Sequence, residues 1–186
     1  MTLDLQPVLA GPRLLVRPLA PDDREALHAV ARDPLLWAMH PAHDRHRRPV
    51  FDRLFDDSLA SGGALLVVDR ASGAAIGSSR FSFQFVEPGE VEIGWTFLAR
   101  EYWGGPTNRE LKRLMLRHAF GGVATAMFRV GEGNLRSRRA LEKIGARLLT
   151  GRTHRASVAG REVVHVVYTI AREDFRRSPL DLEPER

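Results

Sequence analysis

The chain has 186 residues, 44% hydrophobic and 27% charged, a composition that suits one globular domain able to bury a core. Its apolar runs, such as 64–68, are too short for a bilayer, its first dozen residues lack a basic patch followed by an apolar block, and it has no cysteine. A membrane span, a signal peptide, disulfides, a thiolate metal site and a cysteine nucleophile are therefore set aside, and a cytoplasmic location is the default expectation. The formal net charge is +5, but among the 28 basic residues only Lys112 and Lys143 are lysines. Arginines interspersed with acids read first as a solvated mixed-sign surface, and only second as a surface for nucleic acid or a phosphorylated cofactor.

Residues 14–19 read as a first strand ended by proline. Pro21, Asp22 and Asp23 then open a helix, because carboxylates in a first turn favour its dipole. Ala26, Leu27, Val30 and Ala31 give its apolar face, and Pro34 stops it. Residues 35–49 read as a loop or broken helix, and 50–59 as a second helix with Phe51, Leu54 and Phe55 inward. A meander of three strands follows at 64–69, 75–86 and 90–98, separated by turn chemistry at 71–73 and at Pro88-Gly89. Residues 108–120 carry Leu111, Leu114, Met115, His118 and Ala119 at helical spacing. Residues 125–130 form a fifth strand, and 134–144 a short helix ended by Gly145. Residues 148–150 and 163–170 complete the sheet as a hairpin. The domain is expected to span residues 1–177, with a disordered tail at 178–186. This order is α+β, with a mixed, mostly antiparallel sheet of about seven strands and one parallel crossover, from the fourth strand through a helix to the fifth.

Three segments carry chemistry. Residues 102–110, Tyr-Trp-Gly-Gly-Pro-Thr-Asn-Arg-Glu, lie between a strand and an amphipathic helix. Glycines there let the backbone approach a ligand, and the free amides of a helix's first turn suit a pyrophosphate. Glycine used only for turn geometry explains the segment about as well, and no Gly-Lys-Ser/Thr follows to make it a P-loop. Residues 133–145 are a capped helix with Asn134 as N-cap and Arg138 four residues before Glu142. Ser137, a poor helix former, is the member that such a helix does not require. In Glu90-Val91-Glu92-Ile93-Gly94-Trp95, alternation places Glu90, Glu92 and Gly94 on one face and Val91, Ile93 and Trp95 on the other. A carboxylate partway along a central strand is unusual, although a solvated edge glutamate explains it equally.

In their order and spacing, Leu-Leu-Val-Arg-Pro-Leu at 14–19, Glu-Ile-Gly-Trp at 92–95, Trp-Gly-Gly at 103–105 with Asn-Arg-Glu at 108–110, and Asn134-x-x-Ser137 with Glu142-Lys143-x-Gly145 resemble the GNAT superfamily of acyl-CoA-dependent N-acyltransferases. The resemblance runs over residues 13–172 and is to the branch typified by ribosomal-protein N-terminal acetyltransferases. It implies a three-layer GNAT-like fold with helices on both faces of the sheet, and acetyl-CoA as co-substrate. Pantetheine would lie between splayed fourth and fifth strands along Phe97 and Leu98, with the pyrophosphate on the glycine turn. The family's Gln/Arg-x-x-Gly-x-Gly/Ala falls on residues 103–108, where Trp103, Pro106 and Asn108 depart from it. Pro106 has no N–H to give, which leaves Gly104, Gly105, Thr107, Asn108 and Arg109 as donors. Asn134 and Ser137 match the family's Asn-x-x-Ala/Ser beside the pantetheine arm, and Arg138, Arg139 and Lys143 could reach the adenosine 3′-phosphate. The tyrosine that many such enzymes carry four residues on is Leu141 here, leaving Ser137 nearest to the departing thiolate.

The mechanism implied is direct attack of a primary amine on the thioester, with both substrates bound. Glu92 takes the amine's proton through water, with Glu90 and Glu87 as alternatives, and amides near 96–98 stabilise the oxyanion. Candidate acceptors are a protein N-terminus, a polyamine, an amino acid or an aminoglycoside. The basic loop at 37–48 tilts the choice towards a peptide or amino-acid-like acceptor carrying negative charge. Dimers are common among look-alikes, so a second copy is a candidate partner, whereas membrane and nucleic acid are not expected. The competing assignments are a non-catalytic acyl-CoA sensor, motivated by Pro106 and the missing tyrosine, and a basic nucleic-acid-binding module. Of Arg109, Arg113 and Arg117, with Lys112 beside them, Arg109 is best placed for a CoA phosphate and the next two read as solvated. His40, His43 and His46 recur every third residue, but Pro41 breaks a helix there and only Asp44 could complete a ligand set. No metal is expected, and the histidines are assigned to the border of the acceptor site.

Overall fold

A computed structural model describes residues 3–158 and 160–182. The elements are β1 (Leu9–Ala10), β2 (Leu14–Pro18), α1 (Arg24–Ala31), α2 (Arg48–Ala60), β3 (Ala64–Asp69), β4 (Ala75–Ser82), β5 (Glu90–Leu98), α3 (Thr107–Ala119), β6 (Thr125–Gly131), α4 (Leu135–Lys143), β7 (Arg147–Val158), β8 (Arg161–Ala171), α5 (Arg172–Arg176) and α6 (Pro179–Leu182). One sheet of eight strands runs in the order β1-β2-β3-β4-β5-β6-β8-β7. The β5–β6 pair, joined through α3, is parallel, and every other pair is antiparallel. The strand beyond the expected seven is β1, whose two residues are too few to show a period. It is recognised by its pairing alone, Leu9 with Val16 and Ala10 with Leu15.

The sheet separates two cores. Along β3, Leu65 and Val67 enter one and Ala64 and Leu66 the other, as strand alternation requires. The first core is covered by α3 through Leu111, Met115 and Leu116, and extends to Phe175 and Leu180. The second packs Leu27 of α1 and Phe51 and Phe55 of α2 around Trp37. Burying each such side chain contributes roughly 1.5–3 kcal/mol, so both faces of the sheet are firmly covered.

Part of the tail expected to be disordered is instead helical. Leu180 of α6 is buried, and Arg117 donates to Asp181 at 2.7 Å, so apolar and ionic contacts hold residues 179–182 against α3. Residues 183–186 lie outside the described residues. Strand β7 is longer than expected because it is exposed along its first half and shows no apolar period there; its pairing with β8 shifts register between Leu148 and Thr153. Glu110 ties α3 to β2, its buried carboxylate accepting from the backbone N–H groups of Arg13 at 2.9 Å and Leu14 at 3.0 Å.

Candidate active site

Strands β5 and β6 pair at Glu90–Thr125, Val91–Ala126 and Glu92–Met127, and pairing ends there, although β5 continues to Leu98 and β6 to Gly131. A bulge lies where they part. Trp95 has φ +51°, and the register with β4 changes from Arg80–Gly94 to Ser78–Phe97, so Trp95 and Thr96 together oppose Ser79. A bulky residue in the left-handed region costs roughly 1–3 kcal/mol, which the packed neighbours of this strand must offset.

The bulge also reverses the expected facing. Trp95 is not on the face of Val91 and Ile93; its ring lies 4.3 Å from the Arg80 guanidinium and 6.0 Å from that of Arg129, on the side of Glu92. Thr96 is turned towards α3 instead, where its hydroxyl accepts from Lys112 Nζ at 2.7 Å and meets Ser79 Oγ at 2.7 Å. Lys112 is thus not a surface cation. It is 4% exposed, its ammonium lies 5.7 Å from the centre of the Phe128 ring, and burial pushes its pKa down to about 7. Arg113, expected to be solvated, is buried too. Further along β5, Trp103 Nε1 donates to the Leu98 carbonyl at 2.9 Å, while Ala99 N–H bonds Ile76 on the other edge. Strand alternation then turns the Leu98 amide to the β6 side and the Phe97 amide to β4. The Phe97 ring packs 5.1 Å from that of Trp37.

At the end of this opening, Gly104 has φ +74°, and a Cβ built on Gly104 or Gly105 would meet nothing within 4 Å. Pro106 is the N-cap of α3, and Glu110 N–H bonds its carbonyl at 2.9 Å. The amides of Thr107, Asn108 and Arg109 precede that first helical bond and so have no intrahelical acceptor. Open glycines and three such amides at a positive helix end fit a pyrophosphate. The turn is braced by Trp103, over which the Arg136 guanidinium sits at 3.9 Å while donating to the Leu36 carbonyl at 3.0 Å.

Glu92, 2% exposed, accepts two bonds from Arg129, at 2.9 and 2.8 Å. Gly94 makes room for it, since a Cβ there would sit 3.1 Å from Glu92 Oε1. Burial raises the Glu92 pKa above the ordinary carboxylate value, against the opposing pull of Arg129. Glu90 instead bonds Arg152 and the Glu87 amide. On α4, the Asn134 side chain accepts from Ser137 N–H at 3.2 Å, and the half-buried Ser137 hydroxyl makes no hydrogen bond among the described residues.

The acetyltransferase (GNAT) domain family matches residues 13–147. The chain belongs to the GNAT acetyltransferase family. Solved structures agree with that assignment in fold. A GCN5-related N-acetyltransferase from Brucella melitensis superposes with a TM-score of 0.80 at 20% identity, over 95% of this chain and 82% of that one. Mycobacterium smegmatis RimJ, solved in complex with CoA-disulfide, gives 0.71 at 16% identity, over 97% and 94%. Spermidine N-acetyltransferase from Vibrio cholerae, solved with CoA and spermine, gives 0.66 at 16% identity, over 88% and 98%. A search of curated proteins gave no match.

In this GNAT chain, several residues around the opening carry no sequence signal. The partners of Arg129 and Lys112 lie 37 and 16 positions away in the chain. Arg138 does not pair directly with Glu142; Tyr168 bridges them, accepting from Arg138 at 3.1 Å and donating to Glu142 at 2.8 Å. Arg138 also donates from Nη1 to the Glu132 carbonyl at 3.1 Å, which leaves three of its five guanidinium N–H groups for a phosphate. Over the end of β6 the 37–48 loop lies close, and a Cβ on Gly131 would sit 3.0 Å from Pro41. His40 Nδ1 accepts from Ala42 N–H at 2.9 Å, and His46 Nδ1 lies 3.0 Å from the His43 carbonyl, so these histidines bond their own loop. An open cleft of about 500 Å³ shares Thr107 with the glycine turn and is lined by Arg13, Asp69 and Tyr102 among others, but by neither Glu92 nor Ser137.

Proposed function

We propose that this acetyltransferase holds acetyl-CoA in the opening between β5 and β6 and moves the acetyl group directly to a primary amine, both substrates being bound together. The observation that carries this is the loss of β5–β6 pairing beyond Glu92 and Met127, in line with a helix end whose first amides have no intrahelical acceptor. Thr107, Asn108 and Arg109, with Gly104 and Gly105, hold the pyrophosphate, and the Leu98 edge and Asn134 flank the pantetheine arm. That RimJ and the spermidine enzyme were solved with CoA species supports the choice of ligand. Acetyl-CoA supplies the activated acyl group and a thiolate leaving group.

Glu92 receives the amine's proton, directly or through a water. Desolvation makes its carboxylate a stronger base, and the two bonds from Arg129 fix its position, leaving the outer lone pairs for the proton. Ser137 offers a hydrogen bond to the departing sulfur; a serine hydroxyl is too weak an acid to do much more. The acceptor is a protein N-terminus or a small amine or amino acid. None of the described helices is long and apolar enough to cross a membrane. A cytoplasmic enzyme, with a homodimer as its candidate assembly, completes the proposal.

A thiol-release assay with acetyl-CoA over a panel of amines and N-terminal peptides tests it. Glu92→Gln is expected to lower kcat ~100-fold, the usual scale of a general base, and Ser137→Ala to lower it less. Unchanged rates in both variants would remove the two catalytic assignments. Acetyl-CoA binding by calorimetry, without thiol release for any amine, would favour the sensor.

A further inference from the structure

Many arginines among the described residues have a carboxylate partner, including Arg17, Arg24, Arg48, Arg129 and Arg152. Arg45 and Arg80 make no such ion pair; Arg80 stands on β4 opposite Gly94, where the charge of Glu92 acts on it, and the charge of Arg80 in turn acts on Arg45. Arg80 is 7% exposed. Its Nη2 donates to Ser58 Oγ at 2.6 Å, its Nε has no partner, and its guanidinium lies over Trp95, whose ring also faces the Arg129 that holds Glu92. Arg45 lies 5.5 Å over the Trp37 ring, and Trp37 packs on Phe97 of β5, two residues beyond Trp95.

The near contact of Arg45 is itself unsatisfied. Arg45 Nη1 sits 3.1 Å from His40 Nε2. The Ala42 amide donates to His40 Nδ1, so in the neutral ring the proton is on Nε2, which then has no lone pair for Arg45. His40 is neutral, because burial, followed by the charge of Arg45, pushes its pKa down to about 3. Burial, and next the charge of Arg80, lower Arg45 to about 10, so the two guanidiniums repel each other. The carboxylates that act on them, Asp44, Asp57 and Glu92, do so from beyond ion-pair distance. Crowded, desolvated cations with no carboxylate in direct contact are costly, and an anion bound between them lowers that cost.

The geometry points to an anion subsite formed by Arg45 and Arg80, so that the acceptor is a small amine carrying an oxyanion, a carboxylate or a phosphate, near its nucleophilic nitrogen. Seated with the oxyanion on the two guanidiniums, such a molecule presents its amine towards Glu92. A polyamine meets the same cations as repulsion, so one cluster both selects and excludes. This assignment rests on the acetyl-transfer proposal above.

The test compares amino acids, their matched carboxamides, phosphoethanolamine against ethanolamine, and spermidine in the thiol-release assay, with wild type, Arg45→Met, Arg80→Met and Arg80→Lys. Expected is a wild-type kcat/KM at least about tenfold higher for anionic amines than for their neutral partners. Each Met variant should lose that preference mainly through the acceptor KM, leaving the acetyl-CoA KM unchanged, and Arg80→Lys should restore part of it. Which pair shows the larger ratio separates carboxylate from phosphate. Equal turnover of acids and amides, a preference for spermidine, or a preference unaltered in both Met variants overturns the subsite. Should no amine release thiol, the transfer proposal fails separately. The subsite is then judged by thermal unfolding with N-acetyl amino acids and N-acetyl phosphoethanolamine: a midpoint rise in wild type but not in Arg45→Met upholds it, and equal or absent rises overturn it. Arg45 lies on a loop, so that variant is informative even if Arg80→Met does not fold.

Discussion

Replacing Lys112 by Met probes the floor of the β5–β6 opening. The ammonium is 4% exposed and has Thr96 Oγ1 as its hydrogen-bond partner, and burial takes its pKa from 10.5 to about 7. Between those two values the unfolded chain holds a proton that the folded chain has released. Unfolding free energy therefore rises with pH from about 7 to 10.5, and below 7 the folded state carries the full cost of the buried charge. At about 1.4 kcal/mol for each tenfold change, the ceiling is ~5 kcal/mol, of which ~2 falls between pH 7 and pH 9. Local relaxation and water entry reduce that, so ~1–2 kcal/mol is expected over this interval. Urea unfolding of wild type and Lys112→Met at both pH values measures it. Wild type should gain stability relative to the variant by that amount on going from pH 7 to pH 9. Parallel pH responses in the two proteins would refute a buried, titrating ammonium. Because Lys112 bonds Thr96 of the bulge, the variant should also raise the KM for acetyl-CoA more than it lowers kcat.

Arg129→Met leaves Glu92 buried without its counter-charge and should cost ~3 kcal/mol at pH 8. The loss should be smaller at pH 5, where Glu92 can protonate, and chemical unfolding at the two pH values checks it. Glu110→Ala removes the acceptor of two backbone amides, at Arg13 and Leu14, and should lower stability by ~2 kcal/mol. Glu110→Gln, which keeps an oxygen there, should lose less in the same urea titration. His40 has a folded pKa of about 3 against an ordinary 6.5, so its share of stability is complete above pH 6.5 and drains away as the pH falls towards 3. Substituting His40 by Gln should flatten the acid side of a thermal-melting profile measured between pH 7 and pH 4.

The order of elements from β2 to β8, the two amphipathic helices against the sheet, the single parallel crossover and the glycine turn before α3 were legible in the chain, because each is written in local periodicity or turn chemistry. The pattern of Asn134 and Ser137 likewise marked an N-cap that forms as expected. Alternation placed Val91 and Ile93 correctly and failed at Trp95, where one extra residue in the strand reverses every later side chain. No local signal announces such a bulge, since its conformation is imposed by β4 and by the neighbours that hold it.

Lys112 shows the same division. Helical spacing put it beside Arg109 and Arg113 on a face read as solvated, but α3 is buried across most of its circumference between the sheet and α6. The pairing of Glu92 with Arg129, and the mutual repulsion of Arg45 and Arg80, are likewise tertiary facts. The sequence by itself determined which residues could carry charge and how the backbone would be patterned. Which of those charges are desolvated, paired or left facing one another was decided only when distant segments packed, because the cost of a charge depends on its surroundings in space rather than on its neighbours in the chain.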